Sequence, residues 1–356
     1  MIEAVRTGIV PTDHAVARAA RERIDALTKP LGSLGRIEAL AVRLCAIVGG
    51  TPTHAFERRA ILIGAGDHGV ADDGVSAYPS DVTAQMVGGF LAGSAAISAF
   101  ARVARADVYV ANFGVREALA PHPRLLDHNV GRGTANLARG AAIRRDDLAG
   151  VIDAGVAAYD ACAARAPFDV IALGEMGIGN TTAAAALVAG FTGEPIARVV
   201  GRGTGIDDEG LARKTAAIAA GLARCHDFTW DELASEVGGY EIVALAGVML
   251  RAAQRRIPIV LDGVIVAAAA LIAVRIAPAT ADYLIASHRS CEPGHAIALA
   301  ALGLEPLLDL ELRLGEASGA ALALPLIEAA ARMVREMKTF AEAGVATAET
   351  RGPVEI

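Results

Sequence analysis

The chain has 356 residues, 54% of them hydrophobic, and a formal net charge of −7. That is enough chain for one large core and a smaller one, and the lack of a long basic tract excludes a general nucleic-acid binder in favour of a small-molecule partner. Aromatic residues are few and glycine occupies 38 positions, a composition suited to close helix–sheet packing and tight loops.

Cys45, Cys162, Cys225 and Cys291 are far apart and form no CxxC pair. Neither a disulfide framework nor a zinc ribbon is expected, and a reducing cytoplasm fits. The first residues, Met1-Ile2-Glu3-Ala4-Val5-Arg6, lack the charged-then-apolar order of a secretory signal. The most apolar run, Val264 to Val274, is well short of the roughly 20 residues that span a bilayer, so no membrane segment is expected.

In chain order, the spacing predicts a helix from Asp13, its N-cap, to about Leu27. Lys29-Pro30-Leu31-Gly32-Ser33-Leu34 breaks it, as a plain interhelical turn or as a segment that reaches a neighbouring site, and a second helix is predicted over Ser33 to Val48. No strand signal precedes Arg59, so the opening region reads as a small helical domain. Ala60 to Ala65 is the first strand, followed by Gly66-Asp67-His68-Gly69-Val70, where Asp67 and His68 could do acid–base work, bind metal, or simply order the loop. Tyr78, Gln85 and Met86, beside a helix expected to begin near Ser80, combine flat, amide and soft apolar surfaces that suit an aromatic ligand as well as an ordinary core.

Asp107 to Phe113 reads as a second strand and Asp147 to Ala164 as a helix. Val170 to Leu173 is a buried strand leading into Gly174-Glu175-Met176-Gly177-Ile178-Gly179-Asn180-Thr181-Thr182. Three glycines let the backbone turn tightly there, and Asn180 to Thr182 fall where a helix starts and where unpaired N–H groups and dipole charge favour a phosphate. An ordinary capped loop has the same local signature, but Glu175 inside an anion-ready loop points to function. Ala197 to Val200 is a weaker strand candidate, before a second anion-ready loop, Gly201-Arg202-Gly203-Thr204-Gly205, with Lys214 in the helix that follows.

Ile257 to Leu261 and Asp282 to Ala286 are two more strands, ending at Asp262-Gly263 and at Ser287-His288-Arg289-Ser290-Cys291. His288, Cys291 and His295 match no standard zinc spacing, and no metal or cofactor is expected. Leu307 to Leu314 precedes Gly315-Glu316-Ala317-Ser318-Gly319, and two helical runs follow from about Ala320 to Ala341. Glu316, among small neighbours, is either a general base whose pKa burial raises or a carboxylate complementing the next helix dipole. The β–α alternation from Arg59 to Leu314 indicates an α/β fold, a Rossmann-like parallel sheet with helices on both faces, whose strand-end loops converge on one edge. Neither G-x-x-x-x-G-K-[ST] nor G-x-S-x-G occurs, which disfavours a Walker-type kinase and a serine hydrolase. Asp207-Asp208 lacks the preceding apolar strand of a magnesium-dependent diphosphate transferase.

Gly66 to Val70, Gly174 to Thr182, Gly201 to Gly205, Ser287 to Ser290 and Leu312-Arg313-Leu314-Gly315-Glu316, in this order, resemble the nicotinate-nucleotide-dimethylbenzimidazole phosphoribosyltransferase family. The resemblance covers nearly the whole chain, including Lys29 to Leu34. It implies that 5,6-dimethylbenzimidazole displaces nicotinate from nicotinate mononucleotide, giving α-ribazole 5′-phosphate for the lower ligand of cobalamin. By the same resemblance Glu316 is the general base and Glu175 a supporting carboxylate. Gly174, Gly177, Ile178, Gly179, Asn180, Thr181, Gly203, Thr204, Gly205, Lys214 and Ser290 would hold phosphate and ribose, and Tyr78, Gln85, Met86 and Leu314 would line the base slot. A cytoplasmic homodimer is implied, with an α/β domain over 59–319 and a small helical domain built from both chain ends, 1–58 and 320–356. One departure is Asn112, where the family pattern leads us to expect an acidic residue. Competing readings are a related nucleotide transferase or nucleosidase with another acceptor, and a nucleotide sensor without chemistry.

Overall fold

A strand buried at every position needs cover on both faces, and the first strand, β1 (Arg59–Gly66), is buried along its whole length. The computed structural model describes residues 2–346. In it β1 pairs in parallel with β2 (Asp107–Gly114) on one side and with β4 (Val170–Met176) on the other. The sheet is completed by β3 (Leu125–Asp127), β5 (Ile259–Leu261) and β6 (Leu284–Ala286), in the order β3-β2-β1-β4-β5-β6, with every pair parallel. This is the strand order of the doubly wound Rossmann fold, and the expected parallel α/β architecture is borne out. Chain order reverses direction between β1 and β4, so right-handed crossovers put helices on opposite faces of the two halves. The switch point therefore lies between β1 and β4, and ligand crevices of such sheets form at the carboxyl edge there.

The differences from the sequence reading have local causes. Residues 197–200, a weaker strand candidate, fall in and just after the helix Ile196–Val199, which starts after Pro195 and carries an Arg198–Glu194 pair at 2.7 Å. β3 has only three residues and lies outside the sequence expectation; such a run is too short for alternation to show. Within residues 307–314 only β8 (Leu308–Asp309) is strand, paired with β7 (His288–Arg289), and the chain then takes a positive φ of 55° at Glu311. The two helical runs expected near the C-terminus are one helix, Ser318–Glu336, with Pro325 inside it, followed by the short helix Phe340–Ala343. Asp13 caps its helix as expected, its side chain accepting from Ala15 N–H, whereas the next helix starts at Arg36, after Gly35 takes a positive φ of 53°.

Contacts divide the chain into two units, residues 1–10 with 58–324 and residues 11–57 with 325–356. The first ten residues, expected with the helical domain, go with the larger unit: Ala4 O accepts from Gln254 and Val10 O from Tyr283. Residues 320–324 do the same, while residues 347–356 of the expected helical domain lie outside the described residues. In the smaller unit Lys29 and Glu38 form a buried ion pair at 2.8 Å, and Glu38 also accepts from Leu34 N–H, which fixes the interhelical turn. The apolar helical stretch Val82–Ala104 breaks at Gly93 (φ 75°) into helices Val82–Ala92 and Ala96–Ala104, each shorter than the roughly 20 residues that cross a bilayer.

Two helices of the large unit touch through their backbones. A Cβ on Gly155 (helix Leu148–Arg165) would lie 1.8 Å from Ala244 O, and one on Gly247 (helix Tyr240–Gln254) would lie 2.2 Å from Ile152 O. Gly155→Ala should therefore lower unfolding stability by about 1–3 kcal/mol through overpacking. Exposed Gly150, on the same helix with open space around its Cα, should instead gain up to about 1 kcal/mol as alanine. Chemical denaturation of both variants checks the contrast, and equal stabilities would refute the proposed contact.

Candidate active site

Strand β4 ends on Glu175 and Met176, and the chain turns through Gly177-Ile178-Gly179 into the helix Asn180–Thr192. A Cβ on Gly177 would sit 2.2 Å from Gly66 O, so the ends of β4 and β1 meet backbone to backbone. Gly179 has a φ of 96°, which side-chain-bearing residues rarely adopt, and it turns the chain so that the helix starts at the crevice, which Asn180 and Thr181 line. Thr83 Oγ1, below the turn, accepts from Ile178 N–H.

These elements open on one cleft of about 490 Å³. Of the residues expected at the site, Glu175, Gly177, Ile178, Asn180, Thr181, Gly203, Thr204, Ser290, Tyr78, Met86, Leu314 and Glu316 line it together. Lys214 lies just behind the wall: its buried ammonium donates to Thr181 Oγ1 at 2.9 Å and to Gly201 O at 3.1 Å. Gly174, Gly179 and Gly205 act through the backbone and do not line the cleft. At Gly174 a Cβ would collide with Ala317 N at 2.2 Å, so this glycine seats the loop that carries Glu316. Gln85 is the one side chain placed elsewhere; it is exposed and faces a shallow groove with Ala84, Val87, Leu91 and Leu119. On the helix Val82–Ala92, positions 82, 83 and 86 turn inward, and 85, about 100° round the helix from 86, falls on the flank beside them.

Several contributors escaped the sequence reading. Val82, Met176, Val264 and Ile265 add apolar wall to the slot formed by Tyr78, Met86 and Leu314. Glu292 accepts from Gly203 N–H at 2.9 Å and so ties the second glycine loop to the Ser290 turn. Thr204 Oγ1 accepts from Ala77 N–H at 2.9 Å and lies 3.1 Å from Ser76 Oγ, which links the same loop to Tyr78. A helix-capping Glu-Pro at 292–293 was the available signal for Glu292; the Thr204 contact had none. Arg202 is exposed and turned away, bonded to Asp208 and to Ile206 O.

The loop after β1 is ordered from within. His68 Nε2 lies 2.7 Å from Glu241 Oε1, both fully buried, and Asp67 Oδ2 accepts from Arg116 N–H. Asn112 bonds Asp127 and Val115 N–H, where it stabilises the end of β2. His295 Nδ1 accepts from Ser290 N–H, and burial pushes the His295 imidazole down to about 3, which keeps it neutral. His288 Nδ1 is 3.0 Å from Ser287 Oγ, while Cys291 is exposed, so these three side chains serve separate local contacts.

The electrostatics of the cleft are two-sided. Burial pushes the Glu175 carboxyl up to about 8, with the negative charges of Asp262, Glu241 and Glu316 adding to it and the Asn180 amide, hydrogen-bonded to Glu175, opposing. Burial alone pushes Glu316 up to about 7. Lys214 is pushed down to about 8 by burial, partly opposed by Glu292. The cleft thus joins a helix start and a glycine loop, with the Lys214 ammonium buried behind them, to a carboxyl whose acidity burial has weakened and to apolar walls.

Sequence and fold comparisons agree with this geometry. Residues 9–345 match a family model described as Phosphoribosyltransferase. Nicotinate-nucleotide-dimethylbenzimidazole phosphoribosyltransferases from Roseiflexus sp. (strain RS-1) and Mycolicibacterium paratuberculosis are each 50% identical over 340 residues, covering 95% of this chain and 96% and 97% of theirs. A crystal structure of the enzyme of that name from Thermus thermophilus is 49% identical, with a TM-score of 0.89 over 94% of this chain and 99% of that one. With a family model, relatives about 50% identical and a solved structure all matched along nearly its whole length, the chain belongs to the nicotinate-nucleotide-dimethylbenzimidazole phosphoribosyltransferase family.

Proposed function

We propose that the chain transfers the phosphoribosyl group of nicotinate mononucleotide to 5,6-dimethylbenzimidazole or a similar azole, releasing nicotinate and forming α-ribazole 5′-phosphate for the cobalamin lower ligand. The observation that carries this reading is the placement of Glu316 in the same cleft as the anion-ready start of the helix Asn180–Thr192, with an apolar slot between walls of Tyr78, Met86 and Leu314. The phosphate lies against Gly177 to Thr181 and Gly203 to Gly205, with Lys214 and Ser290 behind it. The azole lies in the slot.

Glu316 takes the ring N–H proton of the azole as the other ring nitrogen attacks C1′ of the ribose. The bond from C1′ to the nicotinate nitrogen breaks, and its electrons return to that nitrogen, neutralising the pyridinium. No proton is needed on the leaving group, so one base suffices, and attack from the face opposite nicotinate inverts the anomeric carbon. The Glu316 charge, present until the proton has moved, favours the oxocarbenium character of the transition state.

The homodimer is part of the same proposal. Its support is the apolar surface of the helices Val82–Ala92 and Ala96–Ala104, where Val103 is 73% exposed. A cytoplasmic location is supported by four unpaired, dispersed thiols.

Three outcomes test the reaction and a fourth the dimer. Glu316→Gln should lower turnover by about 10²–10⁴-fold while nicotinate mononucleotide still binds, as read by calorimetry. In the wild type the base works only when ionised, so kcat/KM should fall about tenfold per unit below a limb near 7; a limb near the ordinary value of 4.5 would contradict it. Lys214→Met should weaken nicotinate mononucleotide about ten- to hundredfold, the worth of a hydrogen bond to a charged group, and an unchanged affinity would remove Lys214 from the phosphate site. Sedimentation equilibrium should give twice the chain mass, and a monomer at micromolar concentration would defeat the dimer.

A further inference from the structure

Glu316 and Ala317 occupy backbone conformations that side-chain-bearing residues avoid, with φ of 61° and 63°. Each such residue costs about 1–3 kcal/mol and persists only where its surroundings impose it. Three strands impose it here. Gly174 of β4 lets the Ala317 backbone lie directly on the strand, since a Cβ there would come within 2.2 Å of Ala317 N. His288 of β7 lies flat against Gly319, whose Cβ would meet Nδ1 at 2.0 Å. From the end of β5, Asp262 reaches into the turn: its Oδ1 accepts from Ala320 N–H at 3.0 Å, and although burial pushes its carboxyl up to about 7, the N–H groups of Ala320, Gly319, Ala317 and Gly263 oppose that rise. Asp262 therefore caps the helix Ser318–Glu336 from a distant strand, a task that a residue at the helix start normally performs.

We infer that Asp262 is the positioning residue for the Glu316 carboxyl, and that its contacts with the backbone after Glu316 hold that turn in the strained, buried pose the transfer reaction uses. Asp262 touches neither slot nor phosphate site and does not line the cleft. Its full burial, 1% exposed, would be unfavourable without this task, because a carboxylate away from water needs donors to stabilise it, and here they are the N–H groups of the Glu316 loop. An asparagine of the same shape can keep the Ala320 bond through its one oxygen but carries no charge, so it holds the N–H groups of the turn more weakly than a carboxylate does.

The titratable and charged groups facing the turn are Glu175 on β4, Asp262 after β5, His288 on β7 and Arg313 on the loop itself. Of these four, Asp262 is the one that binds the backbone of residues 317–320. Released from its pose, Glu316 would reach water and recover the acidity of an ordinary glutamate.

The inference rests on the proposed reaction, and the experiment separates the two. In Asp262→Asn, folded by circular dichroism and still binding nicotinate mononucleotide, kcat should fall about 100-fold, as for an approximately 1 Å misplacement of a reacting group. The acid limb of kcat/KM should move from about 7 toward 4.5. A purely structural role would lower the amplitude and leave the limb in place, and that result overturns the inference, as does a kcat within about threefold of wild type. Carboxyl carbon-13 NMR, with the Glu316 signal assigned by its loss in Glu316→Gln, reads the same shift without turnover. An inactive wild type with a normal shift on Asp262→Asn would therefore defeat the reaction and keep the positioning role. Should Asp262→Asn fail to fold, Ser318→Ala removes the 2.7 Å bond from Ser318 Oγ to Gly315 O that braces the same turn. It should move the limb in the same direction, and an unmoved limb there overturns the inference.

Discussion

The backbone-to-backbone contact between Gly177 and Gly66, where β4 and β1 end side by side, is the constraint on which the rest of this molecule depends. With no side chain between them the two loops leave the sheet together, one ordered by the buried His68–Glu241 pair and the other turned by Gly179 into the start of a helix. Every donor that could meet a phosphate inherits its place from that turn. Lys214, the Gly201–Gly205 loop and the Ser290 turn are fixed to it or to one another through Thr181, Gly201 and Glu292.

The acidic side of the site is built by the opposite device. Glu175, Glu241, Asp262 and Glu316 are gathered where water is scarce, and burial is the first cause of the raised values at Glu175, Asp262 and Glu316. Such crowding opposes folding, since like charges in a poorly solvated region repel. It persists because each of the first three carboxyls has another partner: Asn180 for Glu175, His68 for Glu241, and backbone N–H groups for Asp262. For Glu316 burial is the cause that sets its acidity, which suits a group that must exchange a proton.

Much of this was legible in the sequence because it is encoded locally. Buried β-rich runs at Ala60 to Ala65, Asp107 to Phe113 and Val170 to Leu173 appear as strands, and the glycines at 177, 179, 203 and 315 mark the turns around the cleft. What stayed hidden depends on contacts between distant segments. Nothing near Asp262 announces that its carboxyl caps a helix more than fifty residues later, and Glu241 is one acid in an otherwise buried apolar helix. Gln85 misled because its chemistry fits an aromatic ligand, whereas helical phase places it on the exposed flank of Val82–Ala92. Residues 197–200 misled for the reverse reason, since the β-branched pair Val199-Val200 outweighed the helix start set by Pro195.

The slot for the acceptor ring is unequal in how firmly its walls are held. Met176 and Ile178 are embedded in the sheet end, while Tyr78 and Leu314 are more than half exposed on loops, at 54% and 55%. Substitutions at the outer pair disturb little packing, so the shape of the slot can drift through them with almost no loss of stability. The inner pair and the glycines beneath it have no such latitude. On the proposed reaction, a lineage can therefore change the ring it accepts by altering the rim alone, with the proposed phosphate cradle and proton acceptor left intact. In this fold the choice of acceptor is evolutionarily separable from the transfer chemistry.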